Sequence, residues 1–133
     1  MTRYAIDPGT LVQLAEGNQR INSIHQLVAP NSIRSLALDL LLRRVRDGEL
    51  TDARALELHE GMTEVKIRLL GDRVSRRTAW RIALAHGWTT VQLAEYIAVA
   101  MLQADALIAA DPDLATKAAG SVPLATFEDL IAP

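Results

Sequence analysis

The chain of 133 residues contains no cysteine, which excludes disulfide frameworks, thiolate metal sites and cysteine nucleophiles together. That absence suits a reducing, cytoplasmic compartment. Aromatic residues are few: Tyr4, Trp80, Trp88, Tyr96 and Phe127 are the whole set. They are too sparse for the interleaved stacking platforms of single-strand nucleic-acid binders. Neither sign of charge dominates, since 14 basic and 16 acidic side chains leave a net charge of −2. No chain-wide field for coating nucleic acid results. The seven glycines form neither a phosphate loop nor a dinucleotide fingerprint, and no Gly-x-Ser-x-Gly elbow is present. His25, His59 and His86 lack metal-ligand spacing; His59-Glu60 opens like a zinc-protease motif, but Thr63 stands where the second histidine belongs. Long hydrophobic runs are missing too. The longest apolar stretch, Leu93 to Ala110, is interrupted by Glu95, Gln103 and Asp105, whereas a membrane span takes about 20 nearly uninterrupted apolar residues. Residues 1–7 lack the apolar core of a signal peptide.

What is present is an alternation of short apolar runs and longer amphipathic stretches, half of the residues being hydrophobic. Tyr4-Ala5-Ile6 reads as a strand that stops at Asp7-Pro8-Gly9, and Thr10 to Glu16 as a short helix closed by Gly17. Gln26 to Ala29 is a second strand ending at Pro30. Asn31 then stands as cap of a helix carrying Ile33, Leu36, Ala37, Leu40, Leu41 and Val45 at helical spacing, up to Asp47-Gly48. Thr51-Asp52 opens another, whose stripe Ala55, Leu58, Met62, Val65 and Leu69 keeps its rhythm down to Gly71. Ser75 to His86 is a further helix closed by Gly87, and Thr89 with Gln92 forms a capping-box pattern for a helix over Thr90 to Gln103. Ala106 to Ala109 is strand-like. A turn at Asp111-Pro112-Asp113, a short helix with Asp113 as its cap, a short strand at Val122-Pro123-Leu124 and a last helical turn at Phe127 to Ile131 complete the chain. This order predicts a single α/β domain over residues 1–133, with a short parallel sheet between two helical layers.

Asp7 and Asp111 occupy equivalent places, each directly behind a predicted strand. Ligands of open α/β sheets collect outside the carboxyl ends of the strands. Two carboxylates there suit a hard cation such as Mg²⁺, and Asp-Pro is also a common turn dipeptide. The residues alone leave both readings open.

A family resemblance adds to this. Ala94-Glu95-Tyr96-Ile97-Ala98-Val99-Ala100, followed by Gln103-Ala104-Asp105-Ala106-Leu107-Ile108-Ala109-Ala110-Asp111 and Leu114-Ala115, resembles the C-terminal signature of PIN-domain proteins, which include the VapC-type toxins of bacterial toxin–antitoxin pairs. Tyr4-Ala5-Ile6-Asp7 is similar to that family's opening strand and first acid. Val28-Ala29-Pro30-Asn31-Ser32-Ile33-Arg34-Ser35 is similar to its second strand and the helix start behind it. The resemblance runs the length of the chain and implies a three-layer α/β/α fold. It further implies a metal-dependent endoribonuclease in which four carboxylates converge on Mg²⁺ or Mn²⁺, RNA as substrate, homodimerisation, and an antitoxin protein captured at the active-site groove. Carried over by position, the first acid falls on Asp7 and the fourth on Asp111. The second and third fall on Leu36 and Leu93. Glu95 lies about 200° around the helix from Leu93 and is no replacement. Asp39 is only about 60° away from Leu36 but roughly 4.5 Å further along the axis; it stands as a possible substitute ligand or as an i, i+4 partner of Arg43. The expected function is thus a VapC-like nuclease or a degenerate relative that binds RNA or a protein partner without cutting.

Charge is unevenly spread beneath the near-neutral total. Between Glu64 and Arg81 stand six cations, among them Arg73, Arg76 and Arg77, against Glu64 and Asp72. Arg34, Arg43, Arg44 and Arg46 form a second cluster. Either is a candidate contact for RNA phosphates or an acidic partner, or else a solvated helix face. Leu40, Leu41 and Leu42 in succession exceed what one buried helix face needs, which is compatible with a dimer interface.

Overall fold

The computed structural model describes residues 1–17 and 20–131. Its centre is a four-stranded, all-parallel sheet of β1 (Thr2–Ile6), β2 (His25–Pro30), β3 (Arg68–Leu70) and β4 (Ala106–Ile108), in the order β3-β2-β1-β4. Tyr4 lies opposite Leu27 and Ala106, and Ala5 opposite Val28 and Leu107. Because side chains alternate across a strand, this register gives the sheet two apolar faces, as parallel sheets require.

Tyr4, Ile6, Leu27, Ala29 and Ile108 meet one helical layer. It consists of α1 (Pro8–Gly17), α2 (Ile33–Arg46) and α3 (Asp52–Glu64), anchored by Leu11, Leu14, Ile33, Ala37, Leu41, Leu58 and Met62. Ala5, Val28 and Leu107 face α5 (Gln92–Gln103), and α4 (Arg73–His86) packs outside α5 through Ala79 and Ala83 against Ala94 and Ala98. Since α5 is covered on both sides, it buries Ala94 and every residue from Tyr96 to Ala100. Small residues at its α4 seam permit close approach. α6 (Pro112–Ala118) and α7 (Glu128–Ile131) close the chain. The three-layer α/β/α arrangement is the one predicted from the alternation of elements. Among the described residues, no helix is long and apolar enough to cross a membrane; the apolar stretch from Leu93 is α5 followed by β4.

Several local expectations are corrected. The stripe read as one helix down to Gly71 divides: α3 ends at Glu64, Val65 is already extended, and residues 68–70 pair with Val28, Ala29 and Pro30 as edge strand β3. Three residues carry too little periodicity to distinguish the two states, and only the exposed edge of β2 decides between them. Asn31 is not the cap of α2; Ser32 occupies that place without a side-chain bond. The Thr89/Gln92 capping box does not form, because α5 begins at Gln92 behind Val91. α4 starts two residues earlier than expected, with the Asp72 carboxylate accepting from Ser75 N at 3.1 Å. Val122-Pro123-Leu124 contributes one parallel bridge, Leu107 to Leu124, rather than a strand.

Candidate functional site

β1 and β4 are neighbours, and each ends in Asp-Pro followed by a helix. The two aspartates are thereby brought to the same edge of the sheet. Asp7 stands ahead of α1 with Pro8 in its first position, an arrangement suited to a capping carboxylate and a residue lacking N–H. Asp111 does the same for α6: its Oδ1 accepts from Asp113 N at 3.0 Å. Asp113, expected to cap α6, sits inside the first turn and pairs with Lys117 at 2.7 Å.

Asp7 is only 1% exposed. Its Oδ1 accepts from Thr10 N at 2.9 Å and Thr10 Oγ1 at 2.6 Å, and its Oδ2 accepts from Asp111 N at 2.9 Å. Three donors therefore hold one buried carboxylate, and they join the start of α1 to the end of β4. Among the described residues, the exposed Asp111 carboxylate accepts only at Oδ1, from its own turn.

Asp7 and Asp111 line a pocket of about 400 Å³ whose other walls include Leu36, Leu40 and Arg43 from α2, and Leu93 and Tyr96 from α5. On α2, Leu36, Leu40 and Arg43 follow i, i+4, i+7, about 60–100° around the helix from the buried Ile33, Ala37 and Leu41. The positions that the resemblance assigns to the second and third acids thus face Asp7 and Asp111, as leucines. Asp39 is exposed and does not line the pocket, and among the described residues no ion pair joins it to Arg43. Arg43, seven residues beyond Leu36, falls on the Leu36 stripe, whereas Asp39 is turned about 60° from Leu36 and stays outside the pocket. Glu95 opens onto a different cleft, with Asn31, Ser75 and Arg76.

Two wall residues escaped the sequence reading. Arg43 was visible in principle as the residue seven beyond Leu36. Tyr96, three beyond Leu93, is 2% exposed, and its buried hydroxyl has no hydrogen-bond partner among the described residues. Ser32 lies near enough to influence the phenol without a sound hydrogen bond. Burial above all, with the Asp7 and Glu95 charges adding to it and Ser32 opposing, pushes the phenol up to about 12.

A divalent cation fits this donor set poorly. Mg²⁺ requires oxygen ligands in near-octahedral array. Here one carboxylate already serves three N–H or O–H donors, the opposite wall is leucine, and a guanidinium shares the pocket. Among the described residues, no group of three or more His, Asp or Glu side chains gathers closely enough to hold a metal ion. Arg73, Arg76 and Arg77 lie apart from this pocket, at the exposed start of α4.

No family model matches the chain, and no curated protein matches it. Among solved structures it is similar to the crystal structure of PAE2754 from Pyrobaculum aerophilum, at 22% sequence identity, covering 98% of this chain and 94% of that one with a TM-score of 0.72. That likeness extends over both chains almost completely and carries the three-layer α/β fold.

Proposed function

We propose that the chain is a PIN-like module, related to the VapC-type toxins, that binds a protein partner at the Asp7/Asp111 pocket and does not cut RNA. The observation that carries this reading is that Leu36 and Leu93 line the pocket opposite Asp7, whose carboxylate already accepts three hydrogen bonds. The side chains that would complete an acidic metal centre are apolar, and the remaining buried acid is engaged in holding the fold. A nuclease centre works by electrostatic preorganisation around the scissile phosphate, and two of the four carboxylates that the resemblance implies for it are leucines here. A polypeptide segment suits the pocket better. Apolar side chains pack on Leu36, Leu40, Leu93 and Leu114. A donor reaches the open oxygen of Asp111, and an acceptor reaches the exposed Arg43. Of the partners that the resemblance implies, an antitoxin-type protein fits this chemistry, and RNA does not.

The test compares the native protein with Asp111→Asn and with Leu36→Glu/Leu93→Asp for Mn²⁺ binding by calorimetry and for cleavage of structured RNA. The native protein is expected to bind no Mn²⁺ in the pocket and to leave RNA intact, while the double variant gains a Mn²⁺ site. Native Mn²⁺-dependent cleavage that disappears in Asp111→Asn would establish the nuclease and overturn the binding reading.

A further inference from the structure

α4 exposes a stripe of unusual composition. Arg73, Arg77, Trp80 and Leu84 follow i, i+4, i+7 and i+11, so they lie along one face for about 16 Å. Arg76 flanks this stripe on the α5 side, beside Asp72 and Glu95, and Arg81 flanks it on the other. The buried face of the helix is Ser75, Ala79 and Ala83. Trp80 is 62% and Leu84 69% exposed. They border an apolar cleft with Trp88 and Val91. Trp88 is fixed there by stacking on His86 at 4.9 Å and by Lys117 Nζ at 5.5 Å from its ring. Among the described residues, no ion pair engages Arg73, Arg76, Arg77 or Arg81. Arginines at a helix start also oppose the helix's own dipole. The arrangement therefore adds nothing to α4 alone, and it creates a strongly positive surface next to an apolar one.

The complement lies on the same chain. α3 exposes Ala53, Glu57, Glu60 and Glu64 at the same i, i+4, i+7, i+11 spacing, with Leu56 (55% exposed) beside Glu57. Its inward face is Ala55, Leu58 and Met62. Laid antiparallel, the stripes match position for position: Glu64 meets Arg73 and Glu60 meets Arg77. Leu56, with Glu57, reaches Trp80, and Ala53 reaches Leu84. Glu57 has Arg54 at 3.1 Å as a local partner; no ion pair engages Glu60 or Glu64 among the described residues. Within one molecule the faces cannot meet, because α3 belongs to the layer with α1 and α2, while α4 packs on α5 beyond the other face of the sheet.

We infer that the outer face of α3 in one copy docks antiparallel on the Arg73–Leu84 face of α4 in a second copy. The two patches lie on opposite sides of the sheet, so the contact is heterologous and joins copies head to tail, as a ring where the rotation closes and as an open chain where it does not. It also places the start of the neighbour's α3 against the cleft that shares Gln92 with the Asp7/Asp111 pocket. This inference is independent of what that pocket binds.

Charge reversal tests it. Mass is measured by light scattering over a concentration series, in low-salt buffer and in about 0.5 M salt, where screening is nearly complete within a few ångströms. The native protein is expected to form species beyond the monomer in low salt, weakened about tenfold or more in high salt. Arg73→Glu/Arg77→Glu and Glu60→Arg/Glu64→Arg are each expected to be monomeric, and their equimolar mixture to reassociate, since each then supplies the partner the other lacks. Thermal melts establish that each variant is folded. If a reversal variant does not fold, the neutral pairs Arg73→Gln/Arg77→Gln and Glu60→Gln/Glu64→Gln replace it, with the same weakening expected. A native protein that stays monomeric in low salt, a variant that associates like the native one, or a mixture that stays monomeric overturns the inference. So does loss of RNA binding in the arginine variant with assembly unchanged, which would assign the stripe to nucleic acid.

Discussion

Asp7 shows how one side chain can look like a ligand in a sequence and serve as a fastener in the fold. Its carboxylate gathers two donors from Thr10 and one from Asp111 N. Asp7→Ala leaves the N–H groups of Thr10 and Asp111 unmet, the Thr10 hydroxyl keeping the Ile108 carbonyl, and removes a helix cap, which is expected to lower unfolding stability by about 2–4 kcal/mol in urea titrations. Asp111→Ala removes only an exposed cap and is expected to lose about 1 kcal/mol. Equal losses would mean that the asymmetry between the two acids is unreal. Tyr96 gives a second expectation. Its phenol is held near 12 by burial, against an ordinary 10 when unfolded. Above pH 10 the unfolded chain therefore releases a proton that the folded one retains. Stability is complete below that pH and falls by about 1.4 kcal/mol per unit until roughly pH 12. Tyr96→Phe removes both the orphaned hydroxyl and this slope, and is expected to be neutral or about 1 kcal/mol more stable at pH 7. Absorbance titration of the phenols, run beside melts of both proteins, checks this. The candidate acids were readable from their places behind two strands. The hydrogen bonding of Asp7 was not, because its third donor comes from 104 residues away.

At the scale of elements, local chemistry fixed most boundaries. Asp-Pro starts α1 and α6, Thr51 caps α3 through Arg54 N, and Gly87 ends α4 with a positive φ of 69°, the left-handed conformation that glycine adopts without strain. Thr51→Ala is expected to lower stability by about 1 kcal/mol. Gly9 illustrates a constraint between elements. A Cβ there would stand 2.9 Å from Ala110 Cβ, so Gly9→Ala must separate α1 from the end of β4. Overpacking of this kind is expected to outweigh the gain in helix propensity and lower the melting temperature by several degrees, about 1–2 kcal/mol. The elements that could not be read were those whose state depends on a neighbour. β3 exists because β2 has a free edge, and the Thr89/Gln92 box fails because the chain between α4 and α5 follows their packing rather than its own capping preference.

The whole molecule unites these features into a pocket at one edge of the sheet. Its chemistry depends on which faces of α2 and α5 meet there. Leu36→Glu/Leu93→Asp places two more carboxylates opposite Asp7 and Asp111, so without metal it is expected to lower stability by about 2–4 kcal/mol through repulsion and desolvation. Mn²⁺ is expected to restore several degrees of melting temperature to this variant and none to the native protein. An equal shift in both would show that the native pocket already holds the ion.

The sequence by itself determined the alternation of strands and helices, the parallel sheet, and the placing of Asp7 and Asp111 behind two strands. It also determined the leucines at 36 and 93. These follow from periodicity, turn residues and strand-end logic, all of which act over a few residues. The tertiary structure alone decided that β1 and β4 are neighbours, that Asp7 accepts three hydrogen bonds, that Arg43 and Tyr96 join the pocket while Asp39 stays outside, and that α3 and α4 turn oppositely charged stripes to solvent on opposite sides of the sheet. Each of these depends on the relative placement of packed strands and helices. That placement is set by the sum of core contacts along the whole chain, and no local segment encodes it.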